Sequence, residues 1–228
     1  MHGVTQSLVE CIQQDLLPGL HLESQDPHNP VVVHQLPTPW RCLGAGNYAA
    51  VFTHPDYPEQ VVKVYAPGRP GIEDEIEVYR RLGQHPAFSQ CYDSSVNFLV
   101  LKRLHGITLY DCMHQGIAIP PQVIQDIDAA LGYARSQGLF PHDVHGRNVM
   151  MSEGRGLVVD VSDFLHQSPC HAWQDLKWAY RWIYRPIFWH LRLRVPYFLL
   201  DGVRASYRLF KRLRPRRKKR SRSRHLHF

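Results

Sequence analysis

The sequence predicts an α+β fold of two lobes around one cleft, with a small β-rich N-lobe over residues 31–102 and a truncated helical C-lobe over 103–185. Three observations predict it. A glycine-bearing hairpin, Leu43–Phe52, is followed by an alternating run, Gln60–Tyr65, and not by a helix. From Pro121 onward, Val123, Ile124, Ile127, Ala130, Leu131 and Ala134 recur at helical spacing. Beyond that helix a polar loop, Phe140–Met150, sets Asp143 and Asn148 five positions apart, and the short apolar run Leu157–Val159 then leads into Asp160. A chain of 228 residues is long enough for one domain, or for two small lobes that share a cleft.

Taken in order, Val4–Leu17 is an amphipathic run that predicts a helix docked on a lobe or on a partner, followed by a proline-containing linker through Pro30. In the hairpin, Gly44 and Gly46 let backbone amides approach phosphate oxygens, and Ala49 is small enough for a third glycine's place. A dinucleotide-binding turn has similar glycines, but there a helix follows at once. Here Asp56–Glu59 intervenes and a strand comes next. Lys63 lies in that strand between Val62 and Val64 and points to the opposite face. Unless the strand is an edge, a lysine there needs a counter-charge. The next segment, Gly71–Leu82, runs from acidic to basic, as the helix dipole favours, with Ile72, Ile76, Tyr79 and Leu82 on one side. Glu75 is placed to meet Lys63, while Glu73, Asp74 and Glu77 serve the helix N-terminus or solvent.

Val96–Leu101 reads as a buried strand, Lys102–Gly106 as a hinge and Ile107–Met113 as a short helix. Such a hinge can offer backbone groups around Lys102 and Leu104 to an adenine edge. Pro120–Pro121 opens the long helix, which ends at Gly138. In the polar loop, one carboxylate can orient a hydroxyl, while Asn148 and Asp160 can hold magnesium on phosphates. Loops rich in Asp, Asn and Gly are also ordinary turns, so the meaning of this one depends on the elements that precede it.

Residues 38–176 resemble the protein-kinase-like superfamily. The matching elements are, in chain order, the Gly44/Gly46 loop, Lys63, Glu75, the hinge near Leu104, the Asp143/Asn148 loop and Asp160. The resemblance implies that Asp143 is the catalytic aspartate, that Asn148 and Asp160 are metal ligands, and that Glu75 holds the phosphate-binding Lys63. It implies a nucleotide cleft lined by Gly44, Ala45, Gly46, Ala49, Val51, Lys63, Lys102 and Leu104, with ATP and Mg2+ bound. Asp175 resembles the helix aspartate that buttresses the catalytic loop. Several departures narrow the expectation. Pro141-His142-Asp143 stands in place of His-Arg-Asp, so regulation by activation-loop phosphorylation is not expected. His145 replaces the usual lysine, as in aminoglycoside- and choline-kinase-like relatives; it is either bonded to backbone or placed near the γ-phosphate. Asp160-Val-Ser replaces Asp-Phe-Gly, no Ala-Pro-Glu segment follows, and Asp163 is the alternative metal aspartate. The size resembles RIO-type and lipopolysaccharide-core sugar kinases. The expected activity is an ATP-dependent phosphotransferase acting on a serine or threonine hydroxyl of a protein. The alternatives are a small-molecule or sugar kinase, and a nucleotide-binding pseudokinase.

Charge is partitioned. Twelve of the 27 Lys and Arg fall in residues 204–228, which hold no Asp or Glu, so the rest of the chain carries fifteen basic against twenty acidic residues. The sequence reading ends in an aromatic and basic helical segment, 186–210, and a disordered basic tail, 211–228. The segment Trp182–Leu200 is too interrupted by Arg and Pro to span a bilayer. It fits either a membrane interface or a helix pair packed under the C-lobe. An anionic membrane surface is the expected partner of the tail, ahead of nucleic acid, with a solubilising tail as the plain alternative. Five scattered cysteines and the absence of a recognisable secretory signal lead to the expectation of a reducing, cytoplasmic setting, peripheral to the membrane. Neither the cysteines nor the fifteen histidines show a paired metal spacing.

Overall fold

The computed structural model describes residues 2–26, 28–202 and 206. The basic tail, 211–228, lies outside the described residues. The chain adopts the expected α+β architecture, strand-rich at first and, after residue 108, mainly helical with one hairpin over 149–158.

The N-terminal helix is α1 (His2–Cys11), a π-helical turn (Ile12–Leu16) and α2 (Leu17–Gly19) in continuous succession. Leu8, Ile12 and Leu16 are fully buried. They repeat every four residues, and in a regular α-helix that spacing drifts about 40° per step. The wider π turn reduces the drift, so one face stays on the sheet. The segment after α2, expected as linker, instead forms β1 (His21–Glu23), which pairs antiparallel with β2 (Val32–Gln35). The hairpin carries Leu22 and Val31 into the same core as the helix, which is why the linker expectation fails.

The main sheet has five antiparallel strands in the order β3-β4-β5-β7-β6, where β3 is Arg41–Ala45, β4 Ala49–Thr53, β5 Gln60–Tyr65, β6 Cys91–Ser94 and β7 Phe98–Lys102. Strand alternation divides its side chains. Ala50, Phe52, Val62, Val64, Phe98 and Val100 pack under the N-terminal helix and Trp40. Ala49, Val61, Tyr65, Leu99 and Leu101 face α3 (Ile72–Leu82) and the C-lobe. Lys63 falls on this second face, opposite Leu99. Two details differ from the sequence reading. Val96 is 88% exposed in the turn before β7, and the unexpected β6 forms a hairpin with β7.

Residues 107–108, expected to open a helix, form β8 (Ile107–Thr108), and α4 (Leu109–Gln115) starts one residue later. Thr108 is its N-cap, accepting from the Asp111 N–H at 3.0 Å. The long helix α5 (Pro121–Ser136) buries Val123, Ile124, Ile127, Ala130, Leu131 and Ala134, the six positions its periodicity marked. Against it packs the hairpin of β9 (Val149–Ser152) and β10 (Arg155–Val158), with β8 pairing on β9. The approach is close at Gly156, where a Cβ would come within 2.3 Å of the Val123 carbonyl oxygen. Asp126 fixes the contact by accepting from Arg155 Nε at 2.7 Å and the Gly156 N–H at 3.0 Å.

The next helical stretch is α6 (Ala172–Ala179), a second π-helical segment (Tyr180–Phe188) and α7 (Trp189–Leu191), and residues 197–202 are helical again. A boundary expected at 185/186 is therefore absent; Pro186 sits inside the helix. Tyr180 donates to the Ile119 carbonyl at 2.8 Å and Tyr184 accepts the Ile119 N–H at 2.8 Å, so the π segment is anchored on the α4–α5 loop. All five cysteines are free thiols. Among the described residues no helix is long and apolar enough to cross a membrane.

Candidate active site

A cleft of about 940 Å³ lies between the sheet and the C-lobe. The sequence-derived candidates that line it are Gly44, Ala45, Gly46, Ala49 and Val51 from the hairpin, Lys63 and Glu75, Lys102 and Leu104 from the hinge, and Asp143, Asn148 and Asp160 from the floor; Asp175 does not.

The charged centre is built by two elements. Strand β5 turns Lys63 inward, and the first turn of α3 brings Glu75 to it. Lys63 Nζ is 2.9 Å from Glu75 Oε1, 2.8 Å from Oε2 and 3.5 Å from Asp160 Oδ1. Glu75 is 1% exposed and also accepts from the Tyr65 hydroxyl. Burial disfavours the Lys63 ammonium, but the Asp160 and Glu75 carboxylates outweigh it and raise its pKa. Burial pushes the Glu75 carboxyl upward, against the pull of Lys63. For Asp160, burial is overcome by the Lys63 charge and by hydrogen bonds from Ser162, so its carboxyl lies below the usual range.

The polar loop is held from several sides. Asp143 has a left-handed backbone, φ 52°, which Asp and Asn tolerate better than other side chains. Its N–H donates to Cys170 Sγ at 3.3 Å, and Asn148 Nδ2 donates to its carbonyl at 3.1 Å. That bond closes the loop and turns the Asn148 amide oxygen away as an acceptor. His145 Nδ1 accepts the Arg147 N–H at 3.3 Å, and its Nε2 stands 3.6 Å from Asp143 Oδ2. His145 is thus bonded to backbone, one of its two sequence readings, and stands beside Asp143. Asp163 also lines the cleft, its carboxyl raised by burial and then by the Asp160 and Asp143 charges. Asp160 is the acid that pairs with Lys63.

The remaining walls follow from the fold. Val51, Val61 and Leu101 form an apolar roof, and Met150 comes from the floor. At the hinge, Lys102 is largely spent: its N–H donates to the Gln90 carbonyl at 2.8 Å and its own carbonyl accepts from Ser89 Oγ at 2.7 Å. Next to it the Arg103 N–H donates to the Glu59 carbonyl at 2.8 Å, and Leu104 lines the cleft. Gly44 and Gly46 crowd nothing; a Cβ on Gly44 would have no neighbour within 4 Å. Their small size is therefore not used for packing; the Gly46 backbone is engaged within the hairpin region, its N–H donating to the Ala49 carbonyl at 2.8 Å and its carbonyl accepting the Val31 N–H at 2.8 Å.

The sequence reading missed one wall. Residues 195–201 fold back over the loop side of the cleft. Arg147, on the loop itself, stacks on Tyr110 at 4.1 Å and pairs with Asp201 at 2.8 Å, and Tyr110 donates to the same Asp201 oxygen at 2.7 Å. Tyr197 stacks on His114, with centroids 3.5 Å apart, and donates to Asp111 at 3.1 Å. Asp175 sits half-buried in the first turn of α6.

A protein of Bacillus subtilis (strain 168) named "Putative serine/threonine-protein kinase YrzF" is 32% identical over 170 residues, covering 73% of this chain and 78% of the relative. The chain belongs to the protein-kinase-like superfamily. Among solved structures, a variant of the PknI kinase domain of Mycobacterium tuberculosis is 25% identical with a TM-score of 0.44, covering 68% of this chain and 64% of that one. Rad53 in complex with AMP-PNP is 18% identical with a TM-score of 0.45, covering 53% and 36%. The chain thus spans less than two thirds of either structure, and the family assignment rests on the Bacillus relative. No protein-family model matches the chain. In this kinase-like protein the Lys63–Glu75–Asp160 cluster and the Asp143–Asn148 loop face each other across a single cleft.

Proposed function

We propose that the chain is an ATP-dependent phosphotransferase that moves the γ-phosphate of ATP to a hydroxyl, with a serine or threonine of a protein as the leading acceptor. The observation that carries this reading is the convergence of Lys63, Asp143, Asn148 and Asp160 on one cleft roofed by the glycine hairpin. Lys63, charged and aimed by Glu75, meets the α- and β-phosphates. Asp143 accepts a hydrogen bond from the acceptor hydroxyl and orients it for in-line attack. Leu104 offers its backbone to the adenine edge, between the apolar roof and Met150. Most of the rate gain comes from positioning and from charge neutralisation.

The donor set suits Mg2+: a carboxylate from Asp160 and an amide oxygen from Asn148 are hard oxygen donors, and magnesium takes its remaining positions from phosphates and water. When bound, it neutralises phosphate charge. Among the described residues no group of three or more His, Cys, Asp or Glu could hold a metal ion.

A second reading, a small-molecule acceptor, draws on the cover that Tyr197 and Asp201 place over the loop side of the cleft, where an extended peptide would have to lie. Labelled ATP incubated with the purified protein, a generic protein acceptor and small alcohols separates these readings. Transfer to protein hydroxyls supports the first, and transfer to small alcohols alone supports the second. Magnesium-dependent nucleotide binding with no transfer to any acceptor, the protein itself included, leaves a pseudokinase.

A further inference from the structure

The helix over residues 172–191 has two unlike faces. Tyr180 and Tyr184 are buried and bonded to the α4–α5 loop. On the other side Trp178 and Trp182 are each 60% exposed and Leu191 is 64% exposed, with Ile183 and Ile187 also open to solvent. The π-helical winding over Tyr180–Phe188 explains how large apolar residues spaced by four and five share one side. Phe198, 72% exposed, extends the apolar surface beyond the helix. An isolated exposed leucine needs no explanation, but two tryptophans in an apolar stripe mark a contact surface.

Charge identifies the occupant. Arg181, Arg185, Arg192 and Arg194 are exposed around the stripe. From 176 to 200 the sequence has no Asp or Glu, and Asp201, the single acid after that, is bound to Arg147. The sequence then continues with the twelve basic residues of 204–228. A second copy of this chain would bring like charge against like charge, which opposes dimerisation on this face. Tryptophan and arginine together suit the headgroup level of a bilayer, where the ring is half-immersed and the guanidinium meets phosphate.

We infer that this face docks the protein on an anionic lipid surface, with Trp178, Trp182, Ile183 and Ile187 entering the interface and the flanking arginines meeting lipid headgroups. The surface binding is separate from phosphoryl transfer and stands whether or not the cleft is active.

The test is co-sedimentation of the full chain with vesicles of phosphatidylcholine alone or mixed with phosphatidylglycerol, together with tryptophan quenching by brominated lipid. Mixed vesicles should bind at least about tenfold more tightly than neutral ones, since each basic residue near the surface adds to the attraction. The double variant Trp178→Ser/Trp182→Ser, whose sites are exposed enough to leave the fold intact, should lose binding about tenfold and most of the bromine quenching. Arg181→Glu/Arg185→Glu should weaken binding to mixed vesicles only. The inference is overturned if mixed vesicles do not bind, or if they bind the tryptophan variant as well as the parent with no quenching, which would leave the tail acting by charge alone. It is equally overturned if the stripe proves to hold a dimer, or if duplex DNA and not lipid binds in a tryptophan-dependent way.

Discussion

At the scale of single residues, the account turns on one buried cation and the acids around it. Removing Lys63 leaves Glu75, 1% exposed, without its ammonium, and an uncompensated buried charge is costly. Lys63→Ala should therefore lower stability by about 3–5 kcal/mol in denaturant unfolding, whereas Tyr65→Phe, which deletes one hydrogen bond to the same carboxylate, should cost about 1 kcal/mol. Asp126 offers a pH test remote from the cleft. The hydrogen bond from Arg155 is the main cause that holds its carboxyl at about 2, against an ordinary 3.8. A depressed carboxylate contributes stability above its unfolded value and loses it as pH falls towards the folded one. Asp126→Asn should thus be less stable than the parent by about 1–2 kcal/mol near neutral pH, with the gap closing between about pH 4 and pH 2. The Lys63–Glu75 contact was legible in the sequence because strand alternation fixed the face of Lys63 and helix spacing fixed that of Glu75. Tyr65 was not singled out, although the same alternation places it two positions from Lys63 on the same strand face. The Arg147–Asp201 pair was not, because 54 positions separate the partners and no periodicity connects them.

At the scale of elements, the sequence was clearest where one period ran long enough to average out exceptions. All six core positions of α5 were marked by spacing alone. Short elements escaped: β1 is three residues long and β8 two, and their pairing partners lie elsewhere in the chain. Val96 looked like strand by composition, yet the turn into β7 leaves it in water. The N-terminal helix was legible as amphipathic, but its π turn and its place over the sheet come from packing. Because Ile12 is fully enclosed there, Ile12→Ala should cost about 2–5 kcal/mol, a value typical of a core and not of a loosely attached arm. Gly156 is set by contact, since a side chain there meets the Val123 carbonyl. Gly156→Ala should cost about 1–3 kcal/mol by forcing β10 away from α5, read as a lowered melting temperature.

At the scale of the whole molecule, two lobes meet at one cleft and the end of the described chain returns to cover part of it. The resemblance that placed six ordered elements in the superfamily was carried by residues 38–176, and the Bacillus relative shows the same family. The returning segment had no such template. Its grip on the loop depends on Asp201, so Asp201→Ala should speed hydrogen exchange at the Val195 amide, which bonds to the Met113 carbonyl. The central claim is that Asp143 orients the acceptor while Lys63, Asn148 and Asp160 hold the nucleotide. Asp143→Asn tests it most directly, because asparagine is isosteric and tolerates the left-handed backbone at this position. The measurement is transfer of labelled γ-phosphate alongside ATP affinity in magnesium, for parent and variant. The account predicts transfer reduced by about a hundredfold or more with ATP affinity nearly unchanged. Transfer undiminished in the variant would contradict it.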